Sequence, residues 1–438
     1  KTVELVVFED GVTGIGDYAF FEAVKLDSVK LPNTLKRIGG WAFGTCFNLR
    51  LTRLPDGVQE IGKMAFNDCS KMNLYALPSD LQKIGNGAFS WCGGMASVTI
   101  PAGVTEIGRG AFANCENLTA INVAAGNDHY ISEDGILFNK EKTELVQYPA
   151  GRSGTSYPIP SEVKSIGNDA FNGANQLTSM SIQQGVERIG EWAFANCKSL
   201  TETTISSTVK TIGELAFIGC NALTKIQVDG ANTAYTSIDG VLFSKNKTVL
   251  IKYPENRSGN TYKIPSDVTV IKYGAFSTCK KLTSVEIPNN VREIEMHAFS
   301  SSGLTSLTIP TGVTKMNFFA FGECEELASV TLPAGITEIE NHVFLGCKKL
   351  KNVTVRMQTP PNIEHKNIFR DVTLSDVTLT VPKGTTEAYK AAGWVGFKEI
   401  KEADATFDVQ PASFDVDYAW IDNFYDKKII EVTSDRPW

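Results

Sequence analysis

All nine cysteines of this 438-residue chain occupy one slot of a repeating unit, three residues after a phenylalanine that usually follows an alanine. They are Cys46, Cys69, Cys92, Cys115, Cys197, Cys220, Cys279, Cys324 and Cys347. The slot recurs mostly every 23 residues, and a period of that size is the signature of a solenoid, in which each unit buries its apolar face only against its neighbours. The phenylalanines keep the same beat at Phe20, Phe43, Phe66, Phe89, Phe112, Phe171, Phe194, Phe217, Phe276, Phe299, Phe321 and Phe344. Two steps are long, 59 residues each, over 112–171 and 217–276.

A well-formed unit is seen in LTAINV (118–123) and IPAGVTEIGRGAFANC (100–115). LTxIxI reads as a short strand, the proline or PxG as a corner, VTEI as a second extended piece, and the stretch through Ala-Phe as a short helical or 3₁₀ turn. The spine of the core is then Phe43, Phe66, Phe89, Phe112, Phe194 and Phe217 with Cys46, Cys69, Cys92, Cys115, Cys197 and Cys220, each buried phenylalanine contributing about 1.5–3 kcal/mol. Glycine follows the isoleucine in the first eight units (Gly16, Gly39, Gly62, Gly85, Gly108, Gly167, Gly190, Gly213), which suits a bend of permissive φ. Lys272, Glu295, Asn317 and Glu340 replace it later. Charges alternate down columns: Arg37, Glu60, Lys83 and Glu106, then Glu293, Lys315 and Glu338, and one place earlier Lys164, Glu187 and Lys210. Stacked units make such positions neighbours, so the columns read as a register device on a solvated face.

Both long steps carry one insertion repeated 105 residues apart, NDHYISEDGILFNKEKTELVQYPAGRSGTSYPIP (127–160) and NTAYTSIDGVLFSKNKTVLIKYPENRSGNTYKIP (232–265). Asp-Gly, an apolar ILF or VLF, a polar turn and ELVQY or VLIKY read as a β-hairpin. Two readings are open: a variant structural unit, or a protrusion whose Tyr130, Arg152 and Tyr157, with Tyr235, Arg257 and Tyr262, form a contact surface.

The pattern LTxVxIPxGVxxIGxxAFxxC resembles the BspA-like leucine-rich repeats of bacterial surface proteins over about residues 1–400. It carries Phe and Cys where other leucine-rich classes carry Leu and Asn. The resemblance implies a curved, elongated leucine-rich-repeat solenoid, a superhelix of short β-strands and short helical or 3₁₀ turns, with about twelve regular units. Repeats are expected over 1–358, with hairpin-bearing insertions at about 124–160 and 229–265 and a capping unit over 359–404. The segment 405–438 alternates like a strand, and its VTSDRPW ending resembles the opening of a BACON or related immunoglobulin-like module.

Little chemistry is written into the chain. A net charge of −7 without a basic stripe argues against nucleic acid and anionic membrane, and no apolar run approaches the roughly 20 residues of a membrane helix. The cysteines form no CxxC pair, which zinc would favour. In-register sulfurs point in parallel and are badly placed for disulfides. Ala23, Ala174 and Ser302 fill the same slot elsewhere, so buried free thiols are expected. The four histidines, His129, His297, His342 and His365, belong to no catalytic motif. Asp134-Gly135 and Asp239-Gly240 read as turns rather than calcium loops. No catalytic residue, metal or cofactor is expected, and the chain reads as a non-enzyme. His297 and His342 share a column with Tyr18, Trp41, Met64, Trp192, Leu215 and Phe319. Packing against the next unit explains that column, and stacking of Trp41 or Trp192 on sugar rings is the alternative.

By resemblance, the expected function is that of an exported, cell-surface or secreted adhesin of host-dwelling bacteria, contacting a host or extracellular-matrix protein. A carbohydrate- or mucin-binding component and a passive spacer displaying other domains are the alternatives. A monomer is expected, with no nucleic-acid partner and no membrane insertion of this chain.

Overall fold

The structure, a computed structural model, describes residues 3–403, and the strand-like segment expected over 405–438 lies outside them. The chain is a β-solenoid of about 17 turns with a period of about 23 residues. Each regular turn gives one short strand to each of two parallel ladders. In one, Gly14–Ile15, Arg37–Ile38, Glu60–Ile61, Lys83–Ile84 and Glu106–Ile107 pair in sequence. In the other, Ser179–Ile182, Glu202–Ile205 and Lys225–Val228 pair residue for residue. The in-register stack brings the alternating charges together, as in Arg37–Glu60 at 3.4 Å, Lys83–Glu106 at 3.5 Å and Glu187–Lys210 at 2.7 Å. These pairs are exposed, so they select register more than they add stability.

The stretch through Ala-Phe is not helical. Around Phe66, the N–H groups of Met64, Phe66 and Asp68 donate to the next turn, to Asn86, Ala88 and Ser90 carbonyls, each at 2.8 Å. The alternate N–H groups, Ala65, Asn67 and Cys69, close local turns onto the carbonyl three residues back. Alternate donors are therefore committed between turns, leaving no helical ladder to propagate. The residues two before and two after each phenylalanine sit in the left-handed region, as with Met64 (φ 54°) and Asp68 (φ 57°). Among the described residues the helices, Leu374–Asp376 (3₁₀) and Thr386–Ala391 (α), lie in the closing segment.

The glycines after isoleucine also serve a different purpose from the one expected. None of Gly39, Gly62, Gly85 and Gly108 has positive φ. A Cβ on Gly62 would instead lie 2.6 Å from the Gly40 nitrogen, and on Gly108 2.3 Å from the Asn86 nitrogen. Successive backbones touch there. In the last block the column is occupied by side chains that bond the preceding turn: Glu295 accepts from the Tyr273 N–H and Glu340 from the Phe318 N–H, both at 2.8 Å.

The phenylalanine rings stack at centroid distances of 5.3–5.6 Å from Phe20 to Phe112. Tyr148 and Tyr253, inside the insertions, occupy the same slot and stack on Phe171 at 5.0 Å and Phe276 at 5.1 Å. Phe369 extends the column beyond Phe344 at 5.7 Å. These turns raise the count above the twelve expected. No disulfide links the cysteines, all of which are buried thiols. Each thiol in the regular stack donates to the carbonyl of the preceding spine residue, as Cys92 does to Phe66 at 3.1 Å and Cys115 to Phe89 at 3.0 Å.

Each insertion is a three-stranded antiparallel meander. In the first, Tyr130–Glu133 pairs with Ile136–Asn139, and that with Glu144–Gln147, which then joins Ser165–Ile166 in parallel. The Asp134-Gly135 turn has both residues at positive φ (51° and 75°), the arrangement of a two-residue hairpin. The middle strand divides the core: Leu137 belongs to the cluster before it, Ile136 and Phe138 to the cluster after it. The second insertion repeats this with Leu242 against Val241 and Phe243. An all-apolar ILF or VLF is what a strand buried on both faces requires. At the far end Tyr389 and Trp394 are fully buried, and the Tyr389 hydroxyl donates to the Met357 carbonyl at 2.8 Å.

Two outcomes follow from this packing. Gly62→Ala forces two turns apart and should cost roughly 1–3 kcal/mol, read as a lowered Tm, whereas an unchanged Tm would mean that the backbones do not touch. Burial also pushes the Cys115, Cys197 and Cys279 thiols up to about 12. Unfolded thiols ionise from about pH 8.5 while the folded ones stay neutral, so stability is full below that pH and falls above it, by up to about 1.4 kcal/mol per pH unit and thiol. Thermal melts from pH 7 to 11 should show this slope, made shallower by Cys115→Ala.

Candidate functional site

The two insertion junctions are the places where the plain stack is interrupted, and most candidate residues named from sequence lie there. Glu106–Ile107 ends its ladder, which would leave an N–H without a strand partner. The Tyr130 hydroxyl accepts the Ile107 N–H at 2.9 Å, and the Tyr235 hydroxyl accepts that of Ile212 at 2.9 Å. Arg152 donates to the Asp134 carbonyl, and Arg257 to the Asp239 carbonyl at 3.2 Å. Tyr157 packs on Tyr148 at 5.4 Å and Tyr262 on Tyr253 at 5.0 Å. Burial pushes the Tyr157 and Tyr262 phenols up to about 12. All six side chains are half-buried: Tyr130 and Tyr235 tie the insertions to the ladders, and the other four hold the insertions together internally.

The two tryptophans part company. Trp41 stacks on Tyr18 at 6.5 Å and meets Phe21 edge-on at 5.3 Å. Trp192 lines a cleft of about 500 Å³ that also contains Trp91. Trp91, 47% exposed, was not singled out from the sequence. It stands in the left-handed position after Phe89, where neighbouring turns place Thr45, Asp68 and Asn114. A tryptophan in a column of small polar residues was the available signal.

The cleft runs along the turn face across the first junction. The insertion's own turn is short on this face, so residue 114 meets residue 172 directly: the Asn114 N–H donates to the Asn172 carbonyl at 3.0 Å. Side-chain amides continue the link, with Asn114 and Asn196 both donating to the Asn172 Oδ1 at 2.6 and 3.0 Å. Asn172 in turn donates to Asp169 at 2.8 Å. Arg109 closes the network on Asp169 at 3.2 Å and Glu191 at 2.6 Å. Burial holds the Asp169 carboxyl above its usual range, against the opposing pull of Asn172 and Arg109. Gly87, Gly110 and Ala113 keep the floor low. Arg109 and Gly110 also line an adjoining cavity of about 290 Å³ under the insertion.

The second junction is tighter. The positions of Arg109, Gly110 and Ala113 are taken by Glu214, Leu215 and Ile218, and the counterpart of the 290 Å³ cavity is about 60 Å³. Leu215 leans over Gly274, where a Cβ would meet its Cδ2 at 2.5 Å. Beneath lies a buried ion pair, Lys252–Glu255 at 3.1 Å, where the first copy has Gln147 and Ala150. Glu255 also accepts the Gly219 N–H at 2.8 Å. Burial lowers the Lys252 ammonium's tendency to hold its proton, and Glu255 more than restores it. Among the described residues, no three His, Cys, Asp or Glu side chains gather closely enough to hold a metal ion, and no helix is long and apolar enough to cross a membrane.

Parallel ladders at a 23-residue period, a stacked Phe column and a turn face carrying the clefts define a leucine-rich-repeat β-solenoid. The chain belongs to the family of the BspA type leucine rich repeat region, matched over residues 2–131, 150–259 and 255–375. A leucine-rich repeat protein of Eubacterium ventriosum is 28% identical with a TM-score of 0.55, covering 78% of this chain and 82% of its own. A leucine rich cell surface protein of Faecalibacterium prausnitzii is 24% identical with a TM-score of 0.43, covering 92% and 89%. The pneumococcal vaccine antigen PcpA is 17% identical with a TM-score of 0.40, at the same coverage. No curated protein matches the chain.

The ion pair provides a test in which one copy is the control for the other. Glu255→Gln, leaving the Lys252 ammonium unpaired, should destabilise by about 3–5 kcal/mol. Lys252→Gln with Glu255→Ala, the pair used by the first copy, should recover much of that loss. Denaturant melts of the three proteins would check it, and equal stability of both variants would refute the assignment.

Proposed function

We propose that the chain is a non-enzymatic binding scaffold, exported and held at the bacterial cell surface or secreted, that contacts a host or matrix glycoprotein or a surface glycan. Its family, and the cell-surface description of the Faecalibacterium prausnitzii protein, support the class and the location. The observation that carries the binding reading is the turn face. There the backbone is held at two left-handed positions per turn by bonds to the next turn, so side chains stand in fixed rows. Many weak contacts on such a face add without a large ordering cost. The insertion residues are engaged with one another and with the ladder ends, which moves the weight of the proposal from the hairpins to the turn face and favours the glycan reading.

The test is saturable binding of the purified chain to a panel of immobilised matrix glycoproteins and mucins. Binding to at least one member is expected. Uniform failure to bind would leave the spacer reading, and hydrolysis of any panel member would overturn the non-enzymatic assignment.

A further inference from the structure

The fold does not require the cleft at the first junction. The second junction solves the same problem, joining the stack across the same insertion, with Leu215 lying over Gly274 where the first has Gly110 and Asp169, and with the cavity under the insertion reduced from about 290 to about 60 Å³. The first junction instead leaves an opening of about 500 Å³, within the size range of small-ligand sites, and lines it with polar groups that cost desolvation.

The lining defines the ligand's chemistry. Trp91 and Trp192 offer electron-rich indole faces, which attract the C–H groups of an apolar ring face. The Asn114–Asn172–Asn196 ladder uses one N–H of Asn114 and one of Asn196, and each side-chain amide offers two donors and an acceptor. That combination, a flat C–H surface beside groups that both donate and accept, complements a sugar ring edged with hydroxyls. Charge is balanced: Arg109 and Lys63 stand against Asp169 and Glu191, so nothing selects a strongly acidic or basic ligand. We propose that the Trp91–Trp192 cleft is a saccharide site for neutral hexopyranose units. The proposal rests on the binding-scaffold reading above and specifies where and what it binds.

The experiment uses the whole chain on an array of neutral oligosaccharides with two arms, one released from mucin glycans and one from plant and microbial polysaccharides. Hits are measured by calorimetry and tryptophan fluorescence. Binding in either arm is expected, and the arm identifies the source. Trp91→Ala and Trp192→Ala should each weaken it by about ten-fold, and Tyr75→Ala, an exposed aromatic outside the cleft, should leave it unchanged. Gly110→Leu with Asp169→Gly installs the pair that closes the second junction and should abolish binding. Leu215 holds a left-handed φ of 55° at the equivalent position, so the backbone tolerates the change. If that variant does not fold, the two tryptophan variants decide. No bound oligosaccharide, or binding by both tryptophan variants as tight as that of the unaltered chain, overturns the saccharide site. If the glycoprotein panel still binds those variants, the scaffold reading survives without the cleft, and silence on both panel and array overturns both.

Discussion

Everything in this molecule depends on in-register stacking of equivalent backbone groups. Within the regular stack the N–H of a spine residue donates to the next turn, Phe43 to Ala65, Phe66 to Ala88, Phe89 to Ala111. A thiol one turn on donates back to the spine carbonyl, as Cys92 does to Phe66. Any residue chosen for a slot must therefore be compatible with itself as a neighbour. Phenylalanine satisfies this by stacking nearly parallel, and a thiol by being small and a donor. Like charges do not satisfy it, and so they alternate. Left-handed backbone at Met64, Trp192 or His297 costs about 1–2 kcal/mol per residue, a strain held in place because the ladder leaves the chain no other path.

The insertions are where that rule is suspended and then resumed. A strand buried on both faces cannot continue a one-sided core, so the core splits at Leu137 and again at Leu242. Tyr148 and Tyr253 restart the aromatic column with a ring that also belongs to the insertion. The tyrosine hydroxyls at 130 and 235 replace the missing strand at the ladder's end. One architectural problem has thus been solved twice with the same backbone devices. The junction interiors differ, Gln147 and Ala150 against Lys252 and Glu255.

The period, the two strands of each turn, the charge columns, the small buried thiol slot and the hairpin character of the insertions were legible in the sequence because each is a local or strictly periodic property. What escaped was set by contacts between turns. Tyr148 stands 36 residues after Phe112 and 23 before Phe171, so the spine slot inside the insertion is hidden unless the insertion's length is known. Glycine after isoleucine suggested a φ requirement, whereas the neighbouring backbone was the cause. A helical turn was expected because propensity ignores donors already committed to the next turn. Within the cleft, Trp192 was found from its column but Trp91 was not. The approach of Asn114 to Asn172, 58 residues on, follows only once the insertion's turn is seen to be short on that face.

Internal duplication lets architecture and function be separated without any second protein. Where the copies agree, as in the tyrosine that accepts the ladder's last N–H or the strand that splits the core, the stack itself demands the residue. Where they disagree, the fold has shown that it tolerates either. The second junction packs Leu215 and Ile218 into its interior and is nearly closed. Aliphatic filling would stabilise the first junction as well, since each buried methylene contributes about 0.8 kcal/mol. Keeping Asp169 largely buried beside a ladder of amides forgoes that gain and incurs desolvation. That polar, open interior, held where an apolar one fits the same backbone, is the physical ground for proposing a ligand at this junction rather than at the second.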